Sequence, residues 1–112
     1  MKTRMIRIND EIARVTANLI RSELSDPRIG AVVSVIRAEV TQDLKYCKIW
    51  VSFLDGENQA DTMEALNHAS GFIRKRLAET INLRQTPEIK FVHDDSIEYG
   101  MRMRKLIDDV NK

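Results

Sequence analysis

Two stretches of alternating apolar residues, 31–40 and 45–54, joined by Thr41-Gln42-Asp43-Leu44, limit what this chain can fold into more than any other feature. Period-two alternation is a strand signal, and a turn-forming run between two such strands makes a hairpin. A four-residue turn sets Val40 opposite Lys45 and fixes the register. Val32, Ser34, Ile36 and Ala38 then meet Phe53, Val51, Ile49 and Cys47 on the face expected in the core. Val33, Val35, Arg37 and Glu39 meet Ser52, Trp50, Lys48 and Tyr46 on a face expected to be partly wet, as antiparallel pairs permit.

A hairpin needs a cover, and the flanking sequence supplies helices. Ile8, Ile12, Val15 and Leu19, widened by Ile20 and Leu24, predict an amphipathic helix over about 7–24, ended by Ser25-Asp26-Pro27. After an acidic loop at 55–60, Asp61 and Glu64 resemble a capping box. The helix expected there turns Met63, Leu66 and Ala69 inward, and Ile73, Leu77 and Ile81 continue at i+4. Gly71 interrupts the pattern. Glycine is costly inside a helix, so two helical pieces are expected to meet at Ala69, Ser70 and Gly71, with a bend or a close backbone approach as the reason. Pro87 breaks the chain again. Glu88 to His93 reads as a third strand, and Asp94 or Asp95 caps a short C-terminal helix bearing Ile97, Met101, Leu106, Ile107 and Val110. The order helix, strand, strand, bent helix pair, strand, tail helix is a two-layer α+β domain. At 112 residues it is expected to be one domain, 1–112.

Catalysis finds little to use. His68 and His93 stand far from any nucleophile pattern, and Cys47 falls on the core face, where a small buried hydrophobe is the simpler reading. One cysteine supports neither a disulfide framework nor a Cys-cluster metal site. Asp94, Asp95 and Glu98 suggest a cation site, but capping explains them more simply. No Gly-rich phosphate loop is present. The expectation is a non-enzyme with no cofactor and no metal. No apolar run approaches the ~20 residues of a membrane span, and no signal-type stretch follows the basic start, so a cytoplasmic location is expected.

The basic residues are more telling. Formal net charge is only +1, from 18 Lys+Arg and 17 Asp+Glu, so only its distribution informs. Arg7, Arg14 and Arg21 repeat every seven residues, a spacing that drifts about 20° per step and makes one stripe opposite the apolar face. Arg74, Lys75 and Arg76 follow Gly71, with Arg84 further on. Residues 66–93 carry five basic and two acidic side chains, whereas 54–65 carry four acids and no base. Such segregation is the footprint of a polyanion-binding surface, although arginines opposite an apolar face are often just a solvated face. Arg14, Arg21, Arg74, Lys75, Arg76 and Arg84 are the expected phosphate-facing positions. Trp50 and Tyr46 either stack on bases or pack under the tail helix.

Five segments then match a known family in order and spacing: Ser25-Asp26-Pro27-Arg28-Ile29-Gly30, Asp43-Leu44-Lys45-Tyr46-Cys47-Lys48, Ala69-Ser70-Gly71-Phe72-Ile73-Arg74, Leu83-Arg84-Gln85-Thr86-Pro87-Glu88-Ile89, and Asp94-Asp95-Ser96 with Gly100-Met101-Arg102-Met103. Over essentially its whole length the chain resembles bacterial ribosome-binding factor A. The resemblance implies a type II KH-like fold with a mixed three-stranded sheet. KH domains approach the nucleic-acid backbone with a Gly-x-x-Gly loop; in this family an Ala-x-Gly bend stands there, here Ala69, Ser70 and Gly71. It further implies a non-catalytic factor that binds the immature 30S subunit and its 16S rRNA, assists late maturation and rRNA processing, and matters most in the cold. A monomer is expected. The rival is a protein-interaction module that dimerises through the open sheet face with Val33, Val35, Trp50 and Tyr46.

Overall fold

The computed structural model describes residues 2–24, 29, 33–53 and 59–111. Along the chain run α1 (Lys2–Ser22), β1 (Val33–Val40), β2 (Tyr46–Phe53), α2 (Gln59–His68), α3 (Ser70–Thr80), β3 (Glu88–His93) and α4 (Ser96–Val110). The sheet order is β1-β2-β3, with β1 and β2 antiparallel and β2 and β3 parallel. Parallel neighbours cannot be joined by a tight turn, so α2 and α3 form the crossover. Helix α1 packs over β1, α2 and α3 pack over β3, and α1 meets α3. The result is the expected α+β architecture with a mixed sheet. Ser25-Asp26-Pro27 and Gly30 lie outside the described residues.

The core follows the apolar periodicities. Cys47, Ile49, Val51 and Phe53 of β2, with Ile89 and Phe91 of β3, meet Ile8, Ile12, Val15, Leu19 and Ile20 of α1 and Leu66, Ile73 and Leu77 from the helix pair, and all are buried. Each such side chain contributes roughly 1.5–3 kcal/mol. Burial also pushes the Cys47 thiol up to about 12, so it stays protonated at neutral pH and packs as a hydrophobe.

Strand β1 departs from the expected register. Val40 pairs with Cys47 and Ala38 with Ile49, two residues from the predicted partners. Thr41 and Tyr46 close the hairpin: Thr41 N–H donates to the Tyr46 carbonyl at 2.9 Å and Tyr46 N–H to Thr41 Oγ1 at 3.1 Å. Leu44 takes a left-handed φ of 61° to complete the turn, a geometry costly for a branched side chain. The register then shifts between Val35 and Arg37. An extra residue in one strand inverts the alternation beyond it. Val33 and Val35 therefore pack against the core while Ser34 is exposed, the reverse of the sequence expectation. This correction removes two of the four residues of the rival sheet-face dimer. Val32 is outside the described residues.

The helix pair differs in its detail too. Helix α2 begins at Gln59, so Asp61 lies within its first turn rather than capping it. The break falls at Ala69, whose N–H donates to the carbonyls of both Ala65 and Leu66. Ser70 Oγ donates to the Asn67 carbonyl at 2.8 Å, satisfying a terminal acceptor of α2. Gly71 is the second residue of α3, with no positive φ, and a Cβ there would meet nothing within 4 Å. Close packing does not require this glycine. Gly71→Ala is expected to raise stability by up to about 1 kcal/mol, measured as an increase in denaturant midpoint.

Helix α4 is fastened at its start. Glu98 Oε1 accepts from the Phe53 N–H at 3.1 Å and lies 3.1 Å from His93 Nε2. The His93 and Phe53 rings lie 4.7 Å apart. Burial alone raises the Glu98 carboxyl, but the bonds from His93 and Phe53 outweigh it and hold it below the usual range. A depressed carboxylate stabilises above its unfolded value, about 4.3, and that contribution is lost as pH falls through the lower folded value. Protection of the Phe53 amide, whose N–H the Glu98 carboxylate accepts, is thus expected to be high at neutral pH and to fall below about pH 4. Protection that is flat into acid would rule out this anchor.

Candidate nucleic-acid interface

On α1 the buried positions 8, 12, 15, 16, 19 and 20 gather on one side, and Arg7, Arg14 and Arg21 emerge on the opposite, exposed side. The stripe read from the seven-residue spacing is therefore solvated. Among the described residues Arg14 makes no ion pair, and Arg21 donates to the neutral Asn18 side chain and to no carboxylate.

The three consecutive basic residues of α3 do not form one patch. Neighbouring helical residues point about 100° apart. With Ile73 and Leu77 facing the core, Lys75 projects straight outward, Arg74 leans toward the 82–87 segment, and Arg76 leans toward α1. Arg74 donates from Nε and Nη2 to the Thr86 carbonyl at 3.3 and 3.2 Å. That carbonyl is neutral, so the guanidinium keeps its full charge and is held beside the segment that bears exposed Arg84. Lys75 and Arg84 have no ion-pair partner among the described residues.

Arg76 has a different role. Its Nε and Nη2 donate to the two oxygens of Glu23 at 2.8 Å each, and Nη1 donates to Glu79 at 2.6 Å. Hydrogen bonds and charge attraction from both carboxylates raise the guanidinium pKa, and Glu23 is lowered in turn. Two carboxylates against one cation leave no positive charge to offer a phosphate. Arg76 clamps α3 to the end of α1, and the expectation that it faces phosphate is corrected. The sequence could not pair it with a residue 53 positions away.

Two features escaped the sequence reading. Phe72 is 41% exposed on the outer side of α3, beside Gly71 and one turn of backbone from Lys75. Its signal was its position off the Ile73, Leu77, Ile81 stripe. An exposed aromatic among cations suits stacking on bases. On the open sheet face the Arg37 guanidinium lies 4.0 Å over the Trp50 ring and 3.4 Å from Asp94 Oδ2. Trp50 is half-buried beneath it, so Tyr46 is the more exposed aromatic of that face. Hydrogen bonds from Ser96, then Arg37, hold the Asp94 carboxyl below its usual range.

The acids at the start of α4 are thus in use within the fold. Asp94 Oδ1 accepts from the Ser96 N–H at 3.0 Å, and Glu98 holds His93 and Phe53. No group of three or more metal-ligating side chains converges among the described residues. His68 is exposed near Glu64, far in sequence from the other histidine. No helix among the described residues is long and apolar enough to cross a membrane. What remains is an outer helical surface with cations in two groups: Arg7, Arg14 and Arg21 on α1, and Arg74 and Lys75 on α3 with Arg84 on the 82–87 segment that Arg74 holds.

Comparison with known proteins gives this surface a context. The family model described as ribosome-binding factor A matches residues 4–107. The ribosome-binding factor A of Lachnospira eligens is 52% identical over 107 residues, covering 95% of this chain and 82% of that relative. That of Clostridium tetani is 45% identical over 112 residues, covering 99% and 93%. Among solved structures, a putative ribosome binding factor A of Thermotoga maritima superposes with a TM-score of 0.69 at 35% identity, covering 82% of this chain and 88% of that one. The crystal structure of ribosome-binding factor A from Thermus thermophilus gives 0.71 at 21% identity, covering 80% and 94%, a likeness of fold. A homology model of the Thermus thermophilus factor, fitted into a map of a 30S complex, gives 0.64 at 23% identity, covering 78% and 91%. Sequence match along nearly the whole chain and a shared mixed-sheet fold agree, and the chain belongs to the ribosome-binding factor A family.

Proposed function

We propose that this protein is a non-catalytic assembly factor of the small ribosomal subunit, binding the immature 30S particle through its 16S rRNA and assisting late maturation and rRNA processing. The observation that carries the reading is the family match across 4–107, joined to cations on one helical layer that have no ion-pair partner among the described residues. The Thermus relative fitted into a 30S complex supports the choice of the small subunit. The fold is read as KH-like, with the α2–Ala69–α3 break standing where KH domains carry their phosphate-approaching loop. Gly71 there leaves the backbone of α3 open to a polyanion, a use that its free surroundings permit. One copy engages one subunit, in the cytoplasm, and the need for it is greatest in the cold.

The physical logic is a reversible grip. Arg14, Arg21, Arg74, Lys75 and Arg84 supply about five phosphate contacts, giving a log–log salt slope near about −3.5 on irregular or single-stranded RNA. Near-zero net charge limits attraction to RNA at large. Pelleting with purified subunits through sucrose tests the reading. More protein is expected with immature than with mature 30S particles at about 50 mM salt, with most of it lost at about 200 mM. Equal pelleting with both particles, or none at low salt, would overturn it.

A further inference from the structure

The side of the sheet turned away from α1 and α3 carries a cluster that the helical surface does not use. On β2 and β3 the side chains of Tyr46, Lys48, Glu88 and Lys90 are all exposed. The parallel ladder sets Tyr46 beside Glu88 and Lys48 beside Lys90. These four ring an open depression of about 440 Å³, with Cys47 and Ile89 between them turning their own side chains into the core. Lys48 and Lys90 thus stand side by side on neighbouring strands, a like-charge arrangement that costs stability. Among the described residues neither ammonium has an ion-pair partner, although Glu39 faces Lys48 across β1 and Glu88 is two residues from Lys90. Two adjacent cations with no carboxylate closing on them call for an anion from outside.

The other two corners say which anion fits. Tyr46 is 56% exposed, and an open aromatic ring beside cations is a stacking platform for a base. The Tyr46–Glu88 row lies about 7 Å along the strands from the Lys48–Lys90 row, close to the span from a base to its own phosphate. Glu88 is an acceptor at neutral pH, so it selects a base that presents donors on its Watson–Crick edge. Guanine offers two adjacent ones, N1–H and the N2 amino group, which match the two oxygens of a carboxylate. A duplex hides that edge, and unstacked bases of single strands display it. An acidic peptide would satisfy the lysines but be repelled by Glu88, and inorganic phosphate would leave Tyr46 and Glu88 idle.

We propose that the open sheet face holds one unpaired guanosine nucleotide of an RNA strand, its base stacked on Tyr46 with the Watson–Crick edge toward Glu88 and its phosphate between Lys48 and Lys90. The inference rests on the RNA-binding reading above and deepens it: this contact lies on the far side of the sheet from Arg14, Lys75 and Arg84, so the protein sits between two stretches of RNA. Trp50, the chain's one tryptophan, stands next along β2 on the same face, under Arg37, and reports on the site without forming it.

Titration of the full chain with the pentaribonucleotide UUGUU at about 50 mM salt, followed by Trp50 emission, tests it. UUUUU is expected to bind about tenfold more weakly, the discrimination of one bidentate base contact. Tyr46→Ala is expected to weaken UUGUU about tenfold through the lost stack. Glu88→Gln is expected to abolish the preference of UUGUU over UUUUU. Lys48→Ala with Lys90→Ala is expected to weaken both pentamers and to flatten the log–log salt slope by about 1.4. That double variant is expected to melt no lower than wild type, because it removes a repulsion and no packed atom. A wild-type chain with no Trp50 response, equal binding of the two pentamers, or a Tyr46→Ala protein that binds UUGUU as wild type does would each overturn the proposal. Guanosine monophosphate or pentaglutamate outcompeting UUGUU would overturn it too, and would assign the face to a free nucleotide or to an acidic protein. Wild-type protein that pellets with immature subunits yet ignores UUGUU sinks this site and leaves the ribosomal reading standing; failure to pellet strikes that reading instead.

Discussion

Replacing Lys75 and Arg84 together by alanine is expected to weaken binding to the immature small subunit about tenfold at low salt and to flatten the log–log salt slope by about 1.4. Both side chains are exposed and neither is ion-paired among the described residues, so each phosphate contact they make releases counterions that alanine cannot. Their removal leaves no buried group unpaired, and the thermal transition is expected to stay within experimental error of wild type. Arg76→Ala is the matched control with the opposite signature. It breaks the clamp to Glu23 and Glu79, lowers the melting temperature slightly, and leaves the salt slope unchanged because that charge was already spoken for. Binding titrations at four or five salt concentrations separate the two. A double variant with the wild-type slope would remove Lys75 and Arg84 from the interface.

Phe91→Ala is expected to cost about 3–5 kcal/mol, a large share of the roughly 5–15 kcal/mol that a natural domain possesses. Phe91 is 2% exposed, pairs with Ile49 across the parallel ladder, and lies under the helix pair. Its N–H also donates to Asn67 Oδ1 at 3.2 Å, tying the end of α2 to β3. Truncation leaves a cavity where the sheet meets α2 and α3, the latter carrying Gly71, Arg74 and Lys75. Urea denaturation checks the magnitude. Subunit binding is expected to fall only as far as the folded fraction does, since Phe91 touches no surface. A midpoint close to wild type would mean that this corner of the core collapses without penalty.

Most elements were legible because their signals are local. The 47, 49, 51, 53 alternation and the 73, 77, 81 spacing each follow from backbone geometry, and both sets are buried as expected. Strand β3 spans the residues expected of it, Glu88 to His93. The hairpin register was less legible. A bulge changes phase without leaving a glycine or proline to mark it, and Ile36 looks like any other strand residue. Gly71 misled in the other direction, since a glycine inside a pattern usually marks a packing constraint and here marks open space.

The candidate site divides along the same line. Periodicity alone placed Arg7, Arg14 and Arg21 on a solvated face, and the ordered motifs alone pointed to the family. Which cations are free was settled by tertiary contacts: Glu23 neutralises Arg76 from 53 residues away, Asp94 engages Arg37 from 57 residues away, and Lys75 and Arg84 are left without an ion pair among the described residues. Likewise, the apolar pattern of α4 foretold a helix, but only the packed chain revealed that it buries none of its residues. Helical and strand preferences are set by neighbours within a few residues, whereas the charge a side chain presents to a partner depends on whatever the folded chain has brought beside it.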